Sequence, residues 1–213
     1  MISRAYITGT DTEIGKTFVS CALLHEARGS GARVIGMKPV ASGCIETGEG
    51  WRSEDALAHI AADGRADIDY ALRNPYALPL PLAPELAARE AGVDIEVPRI
   101  VNAHARLEAL GDGVLVEGVG GWLAPLTATL EQADVARALA LPVLMVVGLR
   151  LGCVHQARTT QRAIIADGCA FAGWIANPVD PAMAAVDDNI AILTRVLGRP
   201  PLRMMPGRAH RGP

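Results

Sequence analysis

Gly9-Thr10-Asp11-Thr12-Glu13-Ile14-Gly15-Lys16-Thr17 follows a short apolar run, Ala5-Tyr6-Ile7, and opens into a helical pattern from Thr17 onward. The order is strand, glycine loop, helix. Backbone N–H groups of such a loop, with the positive end of the following helix, bind phosphate oxygens; Lys16 reaches the terminal phosphates and the Thr17 hydroxyl suits Mg²⁺. The ligand this predicts is a nucleoside triphosphate. Five residues separate Gly9 from Gly15 where the pattern G-x-x-x-x-G-K-[ST] has four, so the loop is a lengthened variant.

Around that loop the chain has 213 residues, half of them hydrophobic, which suits one domain over 1–213 able to bury a full core without staples. Residues 207–213 read as a frayed basic tail. A net charge of −3 with no basic run excludes a nucleic-acid surface and leaves small molecules as the expected partners. Cys21, Cys44, Cys153 and Cys169 form no C-x-x-C, as expected of reduced thiols in a cytoplasmic protein. The amino end lacks the order of a signal peptide, and no apolar run reaches the roughly 18 residues needed to span a bilayer, so no membrane role is expected. Of the 20 basic residues only Lys16 and Lys38 are lysines. Arginine serves wherever a cation need only be solvated, whereas a compact ammonium is needed to approach a phosphate or a reacting group, which makes Lys38 a second site candidate.

In chain order, a helix behind the loop runs from Thr17 to about Gly29, and Arg33 to Lys38 is a β-like run stopped by Pro39. Residues 40–50 read as a small, glycine-rich loop. Ser53 then caps a helix that carries Asp55 in its first turn. Asn74 to Pro81 is an extended, proline-rich connection; Pro84 to Glu90 and Pro98 to Leu110 read as helices. Gly113-Val114-Leu115-Val116-Glu117 is a buried strand ending in a carboxylate, which can help hold Mg²⁺ opposite Thr17, and the glycines of Gly118-Val119-Gly120-Gly121 let backbone approach phosphates. Ala133 to Leu141 reads as helix, Pro142 to Val147 as strand, Cys153 to Asp167 as helix with an anion-binding amino end, and Ala172 to Ala176 as strand. A helix over Ala182 to Leu197 and an edge strand within Pro200 to Pro206 complete the pattern. Regular alternation of strands and helices predicts an α/β fold, a P-loop NTPase-like three-layer sandwich with a mostly parallel central sheet flanked by helices. Ligands of such sheets bind beyond the strands' carboxyl ends, so Lys16, Thr17, Lys38, Ser42, Asp55, Glu117 and Asn177 are expected in one cleft.

Gly9 to Thr17, Lys38-Pro39-Val40-Ala41-Ser42-Gly43, Asn74-Pro75-Tyr76, Val116-Glu117-Gly118-Val119-Gly120-Gly121-Trp122 and Gly173-Trp174-Ile175-Ala176-Asn177 together resemble the ATP-dependent dethiobiotin synthetase family. The similarity runs in order from residue 2 to about 200, and the lengthened loop is that family's own form. The resemblance implies a homodimer that converts 7,8-diaminononanoate, CO₂ and ATP into dethiobiotin, ADP and phosphate, with Mg²⁺. It implies Lys38, Lys16 and Thr12 as catalytic residues and Thr17, Asp55 and Glu117 as metal ligands. Nucleotide contacts would come from Glu13, Ile14, Gly15, Lys16, Thr17, Phe18, Asp55, Glu117, Gly118, Val119, Gly120, Asn177 and Pro178. Thr12 and Ser42 would bind the carbamate end of the substrate. Its far carboxylate would sit at Gly152, Cys153, Val154 and His155 of the partner subunit.

Three positions depart from the family pattern. Asn189 stands where some members have Tyr for the substrate carboxylate, Pro178 follows the base-reading Asn177, and Pro206-Gly207-Arg208 lacks the apolar residues often found there. Asn177-Pro178-Val179-Asp180 keeps the Asn and Asp of a guanine-reading N-K-x-D but lacks its Lys, which disfavours a GTPase switch. A positioning ATPase of the deviant Walker type has a second lysine early in the loop, where this chain has Asp11. An amide-forming synthetase with another substrate shares the expected fold and differs only in the substrate pocket.

Overall fold

The computed structural model describes residues 1–207. From the amino end the elements are β1 (Ala5–Gly9), α1 (Lys16–Gly29), β2 (Val34–Met37), β3 (Val40–Ser42), β4 (Ile45–Thr47) and β5 (Gly50–Arg52). Next come α2 (Glu54–Asp63), α3 (Tyr70–Arg73), β6 (Tyr76–Leu78), α4 (Pro84–Glu90) and α5 (Val97–Glu108). The remainder is β7 (Gly113–Glu117), α6 (Gln132–Leu139), β8 (Val143–Leu149), α7 (Cys153–Ala166), β9 (Phe171–Pro178), α8 (Val186–Leu197) and β10 (Arg203–Met204).

Six strands form the central sheet in the order β10-β9-β8-β1-β7-β2, and every pairing in it is parallel. The apolar runs explain why. Every residue of β1, β7 and β8 is buried, as a strand covered on both faces must be. Alternate side chains enter opposite layers. Tyr6, Val114, Val116, Val143 and Met145 pack with α5, α6, α7 and α8 on one face, while Ile7, Leu115, Leu144 and Val146 pack with α1 on the other. Since the strands are parallel, the ends of β1, β2, β7, β8 and β9 share one edge of the sheet. β1 lies between β7 and β8, so the chain turns outward in both directions from it and leaves a crevice above Gly9.

Several boundaries differ from the sequence expectation. Residues 40–50, read as loop, contain β3, β4 and the first residue of β5, which pairs with β4 antiparallel, and the extended connection contains β6, which pairs with β3 in parallel. These strands have three residues each, too few for an alternation to register. The helix expected from Ala182 begins at Val186, because Ala185 takes a left-handed conformation (φ 51°) and Asp180 accepts from the Ala182 N–H at 2.9 Å. The strand expected to end at Ala176, β9, continues through Asn177 and Pro178. The tail expected over 207–213 lies outside the described residues except for Gly207.

Candidate active site

The loop between β1 and α1 is fixed from below. Ile14 is buried in the layer under α1, and Gly148 makes room for it, since a Cβ there would meet Ile14 Cγ2 at 2.7 Å. Asn177, at the end of β9, donates Nδ2–H to the Ile14 carbonyl at 2.7 Å. Gly15 adopts φ 87°, and a Cβ on it would lie 2.2 Å from Asn177 Nδ2, so conformation and space both demand glycine. No side chain caps α1, which leaves its amino end to the loop's ligand. Lys16, the first residue of α1, is buried and donates Nζ–H to the Asp11 carbonyl at 2.9 Å. Burial, aided by the nearby Lys38 ammonium, pulls the Lys16 pKa down to about 8 against the opposing charges of Glu117, Asp55 and Asp11.

Beside the loop four elements deliver one polar cluster. Thr17 from α1 lies with Oγ1 2.7 Å from Asp55 Oδ1 and 2.8 Å from Glu117 Oε1. Lys38, just past β2, has Nζ 2.7 Å from Glu117 Oε1, 2.8 Å from Asp55 Oδ2 and 3.2 Å from the Gly118 carbonyl. All three ammonium hydrogens are therefore used. His59 Nε2 lies 2.9 Å from Glu117 Oε2. Glu117 is buried, which by itself would raise its pKa, but Lys38 and His59 override this and hold the carboxylate far below the usual range. Lys38 is likewise buried, and the two carboxylates outweigh the burial to keep it charged.

Thr17, Asp55 and Glu117 fit Mg²⁺. That ion takes one or two protein carboxylates and completes its octahedron with water and substrate phosphate oxygens. One hydroxyl hydrogen cannot serve both carboxylate oxygens that stand within 2.8 Å of Thr17 Oγ1, an oxygen-rich corner that a small hard cation resolves. No group of three His, Cys, Asp or Glu side chains able to hold a metal alone exists among the described residues.

A cavity of about 660 Å³ opens over the cluster. Thr12, Glu13, Gly15, Lys16, Thr17, Phe18, Lys38, Ser42, Asp55, Glu117, Val119 and Gly120 all line it, so most of the residues singled out from sequence converge. Ile14, Gly118 and Asn177 do not. Ile14 and Asn177 lie beneath the loop, and Gly118 contributes its carbonyl to Lys38. A smaller space of about 390 Å³ lies across the loop, lined by Thr12, Glu13, Ile14, Arg150 and Val179 to Pro181. Gly152, Cys153, Val154 and His155 form the first turn of α7 away from the main cavity: Gly152 is left-handed (φ 91°), Cys153 is buried and His155 exposed. Asn189 is half-buried on α8 and donates Nδ2–H back to the Ala185 carbonyl at 2.9 Å. Two participants escaped the sequence reading. Arg150 pairs with Asp11 of the loop, and His59 joins Glu117. His59 falls four residues after Asp55 on one face of α2, which is the signal that could have found it.

This sheet, loop and acid cluster define a P-loop protein that uses a nucleoside triphosphate. A family model described as AAA domain matches residues 3–208. Among solved structures, the MinC:MinD cell division complex of Aquifex aeolicus aligns over 96% of this chain and 81% of that one with a TM-score of 0.61 at 15% identity. A ParA family ATPase from Chlorobium tepidum TLS aligns over 96% and 85% with a TM-score of 0.56, also at 15%. These likenesses concern the fold alone. Sequence relatives are nearer. The ATP-dependent dethiobiotin synthetase BioD of Xanthomonas axonopodis pv. citri is 57% identical over 95% of this chain and 90% of its own length, and that of Xylella fastidiosa (strain 9a5c) is 55% identical over 93% and 88%. The chain belongs to the ATP-dependent dethiobiotin synthetase family.

Proposed function

We propose that this chain, acting as one domain, closes the ureido ring of dethiobiotin from 7,8-diaminononanoate and CO₂ at the expense of ATP. The observation that carries the reading is the meeting of both lysines over one cavity: Lys16 and Lys38 are the only two in the chain and both line it beside Thr17, Asp55 and Glu117. One lysine in the loop serves the phosphates; a second, from the end of β2 two strands away, answers a second anionic reactant. Asp11, paired to Arg150, stands where a positioning ATPase of the deviant Walker type has a lysine, which counts against that class.

In this reading a substrate amine takes up CO₂ as a carbamate with loss of a proton, and a carbamate oxygen attacks the γ-phosphorus of ATP, breaking its bond to the β,γ-bridging oxygen and displacing ADP. The second amine then attacks the carbonyl of the mixed anhydride, releasing phosphate and closing the cyclic urea. No covalent enzyme nucleophile is required, so the protein's task is to orient the reactants and neutralise charge. Lys16 and Lys38 stabilise carbamate and γ-phosphate oxygens, and Thr12 and Ser42 hydrogen-bond the carbamate end. Thr17, Asp55 and Glu117 hold Mg²⁺, which when bound neutralises charge on the phosphate oxygens. Glu13 to Phe18 and Gly118 to Gly120 receive the phosphates, and Asn177, whose Oδ1 is buried without a partner, and Pro178 are assigned to the base. Gly152 to His155 receive the far carboxylate of a substrate held by the partner of a homodimer; their separation from the main cavity within one chain, and the almost fully exposed Leu151 beside them, support that arrangement. No helix among the described residues is long and apolar enough to cross a membrane.

Purified protein with Mg²⁺ and ATP should release phosphate only when diaminononanoate and bicarbonate are both present. Equal hydrolysis without the diamine would overturn the reading in favour of a switch ATPase.

A further inference from the structure

The side chains of α2 that enter the site lie on a single stripe. Asp55, His59 and Asp63 recur every fourth residue and so share one face of the helix. Asp55 reaches Thr17 and Lys38. Asp63 is fully buried against Arg73 and accepts the Gly36 N–H at 3.0 Å. Between them His59 is only 1% exposed, and β2 yields space for it: a Cβ on Gly36 would stand 2.6 Å from His59 Cβ and 2.8 Å from Cγ. The Gly36 carbonyl is held as well, by Arg73 NH1 at 3.1 Å, so the wall opposite the imidazole is pinned by both of its peptide groups. A buried imidazole in a slot built to its shape is costly unless its nitrogens are used.

One nitrogen is used on Glu117. The two carboxylate oxygens have different neighbours: Oε1 faces Thr17 Oγ1 and Lys38 Nζ, whereas Oε2 meets only His59 Nε2. An ionised carboxylate can only accept, so Nε2 carries the hydrogen, and Nδ1, buried with no partner, is left without a role in the site. We propose that His59 is a positioning residue for phosphoryl transfer, tying off Glu117 Oε2 so that Oε1 alone is presented, at a fixed angle, to the Thr17 corner and the cation bound there. This rests on the site reading given above. Lys38 and Thr17 pull on one oxygen and His59 on the other, so the carboxylate plane cannot turn to chelate through both. Without His59, Glu117 is free to rotate about its last torsion, which has broad minima. Loss of a hydrogen-bond partner behind a metal-binding group typically weakens metal affinity 10–100-fold.

The test compares His59→Leu, which fills the slot without a donor, with His59→Gln, whose amide nitrogen falls near the position of Nε2. Binding of Mn²⁺, as a paramagnetic stand-in for Mg²⁺, is titrated by electron paramagnetic resonance in the presence of ADP without diamine, and folding is monitored by far-UV circular dichroism. The expected result is at least 10-fold weaker Mn²⁺ binding in His59→Leu and recovery to within about threefold of the native value in His59→Gln. Native affinity in both variants, or equal loss in both, would overturn the proposal and leave His59 as packing. If His59→Leu fails to fold, the ¹⁵N spectrum of the native histidine decides: hydrogen on Nε2, bonded, is expected, and an Nε2 without hydrogen refutes it. None of these readouts depends on the diamine, so an inactive enzyme that binds Mn²⁺ through His59 would refute the assigned reaction and leave the positioning role standing.

Discussion

Lys38 offers the sharpest test of the site. In Lys38→Met the Nζ contacts to Glu117 Oε1 (2.7 Å), Asp55 Oδ2 (2.8 Å) and the Gly118 carbonyl (3.2 Å) all vanish. Asp55 keeps Thr17 and has a side chain 39% exposed, so water replaces the lost cation there. Glu117 is different. At 1% exposure it retains only Thr17 and His59. Removing one partner from a buried ion pair costs ~3–5 kcal/mol, and the two surviving hydrogen bonds point to the low end, about 3 kcal/mol. For a chain of this size that lowers the unfolding midpoint by about 6–12 °C. Lys38→Arg separates charge from shape. The charge remains, and the bulkier guanidinium must fit where the lysine side chain is only 4% exposed, an overpacking cost of about 1–3 kcal/mol. Fold and nucleotide binding persist, while turnover falls about 10²–10³-fold because the planar group cannot occupy the ammonium's place against the developing charge. Thermal unfolding, fluorescent-nucleotide titration and coupled phosphate release measure the three quantities. Turnover within a few-fold of native in Lys38→Arg would remove Lys38 from the mechanism, and an unchanged midpoint in Lys38→Met would refute the assigned pairing with Glu117.

Two further outcomes concern the scaffold. Arg73 and Asp63 are both fully buried, with NH1 2.5 Å from Oδ2, so Arg73→Met should cost about 3–5 kcal/mol in urea unfolding, whereas Asp63→Leu combined with Arg73→Met should cost clearly less than the single change; a double variant as unstable as the sum of its parts would exclude the buried pair. His104, on α5, is buried with Nε2 unpartnered, and burial, with Arg4 adding and Glu108 opposing, lowers its pKa below the ordinary 6.5. The unfolded chain therefore binds the proton first on acidification. Stability should fall as pH drops from about 6.5 toward the folded pKa and level off below it, with a slope of up to about 1.4 kcal/mol per pH unit from this group. His104→Leu should flatten that part of the stability profile, and an unaltered slope would assign the acid sensitivity elsewhere.

Much of the molecule is written locally. The loop from Gly9 to Thr17 is legible in its own residues, because glycine tolerates the left-handed turn at position 15 and α1 begins directly after it. β7 and β8 are legible as unbroken apolar runs, since strands covered on both faces leave no place for polar residues. The scarcity of lysine marked Lys38 before any contact was known, and Glu117 was marked by ending its strand. Tertiary structure decided the rest. β3 to β6 exist through pairings between segments too short to have a pattern, and Asn177 proves to be a brace under the loop because β9 continues two residues further than its apolar run. The position of Asp55 beyond the strand ends is legible in sequence, but only the packing of α2 against α1 and β2 turns its whole stripe inward, carrying Asp55 to Thr17 and Lys38, His59 to Glu117 and Asp63 to Arg73. Helical spacing says which residues share a face, but the direction of that face is a property of the packed layers, and the chemistry of this cluster depends on that direction.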